Sequence, residues 1–198
     1  MGREVIAPSA ILRRRGASIA AAVLLLALPL AGCGQAPAPV ADGYSLAGFF
    51  DGRSYSEGTV RTALVFEERF TARFRGSVDD NRMRLDERFR FADGRRLQRW
   101  ELSRSAAGVY TGTVATEDGE GRLSAPVPVV GWATADGAVL TYQGHAPGGG
   151  DMLLGFRHVM TENGDGTLAN RVTISKFGIP IATSLVTFAK SRAALRYR

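Results

Sequence analysis

Three polar residues occupy positions that the surrounding pattern reserves for apolar ones. Glu87 shares its parity with Met83, Leu85, Phe89 and Phe91. His158 falls in step with Met152, Leu154, Phe156 and Met160, and Asn170 with Leu168, Val172 and Ile174. Successive side chains of a strand point to opposite faces, so all three are expected on an apolar side. A buried, unpaired carboxylate is costly; it must find a partner or keep its proton. Two arrangements follow. The three groups could face one lumen and read the head group of a ligand, or they could satisfy each other, an arginine or water as polar groups of a core. Trp100, between Arg99 and Glu101, has the same two readings: an inward indole is a core residue or the wall of a pocket. Glu87, Trp100, His158 and Asn170 are therefore the candidate ligand-binding residues.

Signals for catalysis are weak. The chain has two histidines, His145 and His158, and no Gly-x-Ser-x-Gly elbow around which a Ser–His–acid triad could form. Two histidines without metal-ligand spacing predict no zinc site. The run Gly148–Gly150 is followed by no P-loop lysine and reads as a loop, while Asp79-Asp80 and Asp86-Glu87 read as charged rims of a hairpin. No catalytic residue, metal or cofactor is expected. In an enzymatic alternative, Glu87 or His158 would supply the acid–base group.

The elements that must position these residues are strands. Phe70, Ala72, Phe74 and Val78 alternate with Thr71, Arg73, Arg75 and Ser77, and the alternation resumes from Met83 to Phe91. Asp79-Asp80-Asn81 and Asp93-Gly94 mark turns between them. Further strands are expected over Leu97–Ser103, Gly108–Glu117, Arg122–Ala133, Val139–Gly144, Met152–Met160, Leu168–Phe177 and Ile181–Lys190. Pro126 and Pro128 demote theirs to an edge or a bulge. No amphipathic helix is expected except a short one at the C-terminus. Regular short strands with polar turns predict an all-β, antiparallel barrel or sandwich, with a lipocalin-like barrel of about 8–10 strands preferred; such a barrel fills its interior or holds one small ligand. Its inward parity is aromatic and aliphatic, so the expected cargo is apolar.

The N-terminal stretch reads as an address. Arg13-Arg14-Arg15 precede an apolar run from Ala17 to Leu30 that is shorter than the roughly 20 residues a membrane span needs. It fits a cleaved signal instead. Its end, Leu30-Ala31-Gly32-Cys33, is similar to the lipobox of bacterial lipoproteins, which implies acylation of Cys33 and cleavage before it. Gly34 then favours the outer over the inner membrane. The expected organisation is a signal peptide over 1–32, a lipidated tether over 33–44, a barrel over 45–190 and a basic tail over 191–198.

Removing residues 1–32 from the 198 leaves 166, ample for one domain. The formal charge of +6 falls to about +3, because Arg3, Arg13, Arg14 and Arg15 leave with Glu4. Acylation of Cys33, the only cysteine, excludes an internal disulfide, a thiol nucleophile and a cysteine-based metal site. No basic run with interleaved aromatics marks a nucleic-acid module. The expected partners are a membrane, through lipidated Cys33, and an apolar small molecule or lipid.

Four stretches carry a more specific likeness: Leu85-Asp86-Glu87-Arg88-Phe89-Arg90-Phe91-Ala92-Asp93-Gly94, Arg99-Trp100, Tyr110-Thr111-Gly112, and Asn170-Arg171-Val172-Thr173-Ile174-Ser175-Lys176-Phe177-Gly178. Together they resemble the DUF3833 family over residues 45 to 190. The resemblance implies an envelope lipoprotein with a lipocalin-like fold and a lipid-related role; it supplies no catalytic residue. Gly155-Phe156-Arg157-His158-Val159-Met160 departs from the acidic pair and tryptophan of the family pattern. The expected function is a membrane-tethered barrel that binds an apolar ligand such as a fatty acyl chain. The alternatives are a lipid-acting enzyme or its accessory subunit, and a module that recruits proteins through a free sheet edge.

Overall fold

The computed structural model describes residues 38–62, 66–150 and 152–195. The expected signal peptide, Cys33 and the first part of the expected tether lie outside the described residues. Ten strands follow in order: β1 (Gly52–Thr62), β2 (Phe66–Asp79), β3 (Arg82–Phe91), β4 (Gly94–Arg104), β5 (Val109–Thr116), β6 (Val127–Ala133), β7 (Gly137–Gly144), β8 (Leu154–Glu162), β9 (Leu168–Lys176) and β10 (Ile179–Ala189). Each pairs antiparallel with the next, and β10 returns to pair with β1, so the sheet is a closed barrel.

Closure bears on two expectations. The sheet has no free edge among the described strands, so Pro126 and Pro128 do not mark one. Pro126 precedes β6, and Pro128 is its second residue, opposite Thr113. The pairing of β6 with β7 begins only at Val129, so Pro128 lies on a stretch paired on one side, where a missing N–H costs least. It also leaves no strand edge for a protein-recruiting module. The strand expected over Arg122–Ala133 shrinks to β6, its first part being a loop held by a bridge between Glu117 and Leu123.

One helix escaped the sequence pattern. The segment α1 (Leu46–Phe50) is capped by Ser45, whose Oγ accepts from the Gly48 N–H at 3.1 Å. Gly52, at φ 76°, turns the chain from it into β1. Five residues are too few to show amphipathic periodicity. Leu46 and Phe50 nevertheless bury against the barrel, Phe50 packing on Phe74 and Phe188 with ring centroids 5.6 and 5.4 Å apart. Gly76 permits this approach, since a Cβ there would collide with the Phe50 carbonyl. At the C-terminus a short 3-10 turn, Arg192–Ala194, replaces the expected α-helix.

Both expected appendages fold back onto the barrel in part. Arg104 Nη2 donates to the carbonyls of Ala41 (2.8 Å), Gly43 (3.0 Å) and Val40 (3.4 Å). The Val40 and Tyr44 N–H groups donate to Ala133 and Thr134. Lys190 Nζ donates to the Phe49 and Asp51 carbonyls at 2.8 and 2.7 Å, and Leu195 is buried. Val40 to Tyr44 are thus docked rather than free, as is the chain through Leu195.

The inward positions form the core. They include Phe70, Phe74, Leu85, Phe89, Trp100, Tyr110, Val114, Val129, Leu140, Phe156, Leu168 and Phe188. Barrel diameter grows with strand number, so ten strands give a lumen about a quarter wider than eight. Side chains of this size do not fill it.

Candidate functional site

The unfilled space is a cavity of about 120 Å³ within the barrel. Leu46 and Phe50 of α1 bound it on one side, and Val60, Phe91, Pro147 and Ile174 lie along the rest of its wall. Its lining is mostly apolar, which suits a small, largely apolar molecule.

Glu87, Trp100, His158 and Asn170 all line it. They come from β3, β4, β8 and β9, whose inward parity delivers each of them. Trp100 Nε1 donates to Glu87 Oε2 at 3.2 Å. The Trp100 ring stands edge-on to His158, with centroids 5.6 Å apart, and edge-on to Tyr142 at 5.3 Å. His158 Nδ1 lies 3.2 Å from Asn170 Nδ2. One polar cluster therefore crosses the cavity, with Trp100 as its hub. Arg99, next in sequence to Trp100, faces outward and holds Asp86 through two bonds of 2.7 and 3.1 Å.

Two members were not singled out from the sequence. Gln98 Nε2 donates to Thr116 Oγ1 at 2.9 Å and to the Tyr142 hydroxyl at 3.3 Å, all buried. The signal was present: Gln98 has the parity of Trp100 and Leu102, and Tyr142 that of Leu140. A glutamine among aliphatics breaks a pattern as Asn170 does.

Burial sets the charge state. Desolvation pushes the Glu87 carboxyl up to about 8, against the opposing hydrogen bond from Trp100. Desolvation lowers His158 to about 4. The Tyr142 phenol is raised, chiefly by burial, with the Gln98 bond opposing and Glu87 adding to the rise. At neutral pH the cluster is uncharged. No lysine or arginine lines the cavity to change that.

The cluster is also incompletely bonded. His158 Nε2, Asn170 Oδ1 and Ser184 Oγ are buried without a partner. Whether Asn170 donates to Nδ1 or its amide is turned to accept from it, Nε2 and one amide atom are left over. His158 is enclosed by protein yet keeps accessible surface, because it borders the cavity. Unmatched polar groups beside an apolar space are what a ligand's polar atoms can satisfy.

The remaining sequence signals resolve locally. His145 Nδ1 lies 3.2 Å from the Met152 carbonyl, within a loop. Gly148 sits against the Arg96 side chain, and a Cβ there would collide with it. Among the described residues no cluster of three or more His, Cys, Asp or Glu is placed to hold a metal ion.

Fold and cavity define the class: a closed ten-stranded antiparallel barrel around an apolar cavity that is crossed by an uncharged polar cluster. The chain belongs to the DUF3833 family, described as protein of unknown function, whose family model matches residues 30–190. No curated protein matches. Among solved structures the chain is similar to that titled "Crystal Structure of Rv2717c from M. tuberculosis", at 14% identity and a TM-score of 0.52, covering 75% of this chain and 99% of that chain. At that identity the likeness concerns the fold alone.

Proposed function

We propose that this protein is an envelope lipoprotein whose barrel binds an apolar molecule bearing an uncharged hydrogen-bonding group. The observation that carries the reading is an apolar cavity lined by His158, Asn170 and Ser184, whose Nε2, Oδ1 and Oγ are buried without a partner at its wall. A free carboxylate ligand fits less well than an alcohol, ester, amide or ketone. An ionised head would be desolvated with no cation to meet it, and Glu87 would be its neighbour. The cavity as described suits a small ring or a short hydrocarbon segment. Longer chains require Met83, Met160 or a phenylalanine to change rotamer.

Cys33 and Gly34 support a lipid anchor, with the outer membrane favoured. Incorporation of labelled palmitate that is lost on Cys33→Ser is the expected result for the anchor. For the cavity, native mass spectrometry with matched pairs of a medium-chain alcohol and its carboxylic acid is the test. The alcohol is expected to bind at least tenfold more tightly at pH 7. Equal binding of the acid rejects the uncharged head group, and binding of neither rejects the reading itself.

A further inference from the structure

The outer wall of the barrel over β1 to β4 sets arginine directly opposite arginine at three registers. Arg53 faces Arg75, Arg73 faces Arg88, and Arg90 faces Arg95. Like charges at opposed positions of a sheet destabilise it. All six are exposed. Arg192 joins them, its guanidinium 5.2 Å from the Tyr55 ring centre. Arg53, Tyr55, Arg73, Arg75, Asp86, Arg88 and Arg192 border one surface depression of about 520 Å³. The single carboxylate among them, Asp86, is engaged by Arg99 at 2.7 Å and lies 3.7 Å from Arg88.

Solubility does not explain such a wall. The outward positions of β8 and β9 carry Arg157 and Arg171 among Thr161, Thr173 and Ser175, and those of β10 carry Thr183, Leu185 and Thr187. Positive charge is gathered on one side of the barrel, where it repels itself. We propose that this wall docks on a net-anionic lipid surface, whose phosphate head groups carry no compensating cation.

Three observations favour that occupant. The arginines spread over four strands, a width of about 14 Å, which matches an extended array of anions better than a single ion. The large exposed hydrophobic residues of these strands, Phe66 and Val78, lie at the two ends of β2 outside the arginine pairs, so the wall lacks the apolar centre of a protein interface. Of the two aromatic residues bordering the depression, Phe74 is buried and Tyr55 is half-buried with Arg192 over its ring, leaving no platform on which a nucleic-acid base could stack. Arginine suits the role because its planar fork meets phosphate oxygens in pairs.

Vesicle flotation of the full chain tests the wall. Binding is compared between phosphatidylcholine vesicles and vesicles in which part of the lipid is phosphatidylglycerol. Any anchor contributes to both kinds, so the ratio reads the wall. The ratio is expected to exceed one, to fall with salt, and to drop about fivefold for each of Arg73→Ala and Arg88→Ala. The double change Arg157→Ala with Arg171→Ala should leave it unaltered. Arg73→Glu keeps the fold apart from the docking: it creates an ion pair with Arg88, so the melting temperature should stay at or above the parent's while the ratio collapses. A ratio of one in the parent, or one insensitive to Arg73 and Arg88, overturns the proposal. So does displacement by millimolar inorganic phosphate, which would assign the depression to a soluble phosphate group. Tighter binding to single-stranded DNA than to anionic vesicles would overturn it as well.

Discussion

Trp100 hands its indole N–H to Glu87 across 3.2 Å in a cavity wall that contains no cation. The bond pulls the carboxyl toward its charged form, yet burial pulls harder, and the acid stays protonated at neutral pH. Glu87 can therefore donate a hydrogen bond as well as accept one. That turns a residue which would otherwise repel most ligands of this cavity into one that can greet a carbonyl or hydroxyl oxygen.

Stability should follow the two displaced titrations. A Glu87 raised from 4.5 to about 8 makes the folded state bind the extra proton, so its contribution is whole below pH 4.5 and is lost as pH rises to about 8. His158, lowered from 6.5 to about 4, acts in reverse and costs stability as pH falls below 6.5. The two slopes cancel between pH 4.5 and 6.5, and stability declines from 6.5 toward about 8. Urea midpoints across this range should show a plateau and then a fall. Glu87→Gln should abolish the fall and exceed the parent above pH 8 by at least about 1 kcal/mol. An unchanged slope in the variant would mean that Glu87 is solvated.

Arg104 is the clasp that holds residues 40–43 on the barrel. Arg104→Ala removes three bonds to backbone carbonyls and is expected to cost about 1–2 kcal/mol. The larger effect should be local. Proteolytic cleavage between Val40 and Tyr44 should accelerate severalfold, while cleavage within the strands stays at the parent rate.

Phe177 occupies a left-handed conformation at φ 53° in the two-residue turn between β9 and β10, followed by Gly178 at 79°, and is 93% exposed. A bulky residue there is strained, and it packs on nothing but the Lys176 ammonium, 5.5 Å from its ring. Phe177→Asn should stabilise the fold by about 1 kcal/mol. A loss of vesicle or ligand binding in that otherwise more stable variant would give the strain a use.

Ser54 and Ser56 point buried hydroxyls inward from β1 without a partner. Ser54→Ala and Ser56→Ala should each be neutral or stabilising by up to about 1 kcal/mol, read as a melting shift. Ser184→Ala should likewise leave the empty protein intact. A fall in alcohol affinity for that variant alone would place Ser184 against the ligand.

Much of this was legible from side-chain parity. Met83 to Phe91 announces an inward Glu87, and Leu168 to Ile174 an inward Asn170, because a period of two leaves few alternatives. Ten strands of one class, each joined to the next, likewise leave little beyond a barrel or a sandwich. Parity is silent on which inward residues meet. Trp100 reaches Glu87 only because β3 and β4 pair Glu87 with Gln98, and His158 reaches Trp100 only because the ring closes. The helix α1 was missed because its stability comes from Phe74 and Phe188 rather than from its own five residues. The turn after β3 is Ala92-Asp93, one residue earlier than Asp93-Gly94 predicts, since Gly94 already pairs with Phe91. The arginine pairs were invisible because only the registers between strands bring them face to face.

The seam between β1 and β10 governs how this molecule comes apart. In an open sheet an outermost strand can peel away first. Here every strand must break two ladders to leave, so fraying has nowhere to begin and unfolding should be all-or-none. Amide exchange in β1 and β10 should accordingly be as slow as in β5. The same seam is the last thing a growing chain can make, because its two halves come from opposite ends of the domain. Until β10 arrives, nine strands wait with both outer edges unsealed, and the nascent barrel is at its most vulnerable to sticking to its neighbours.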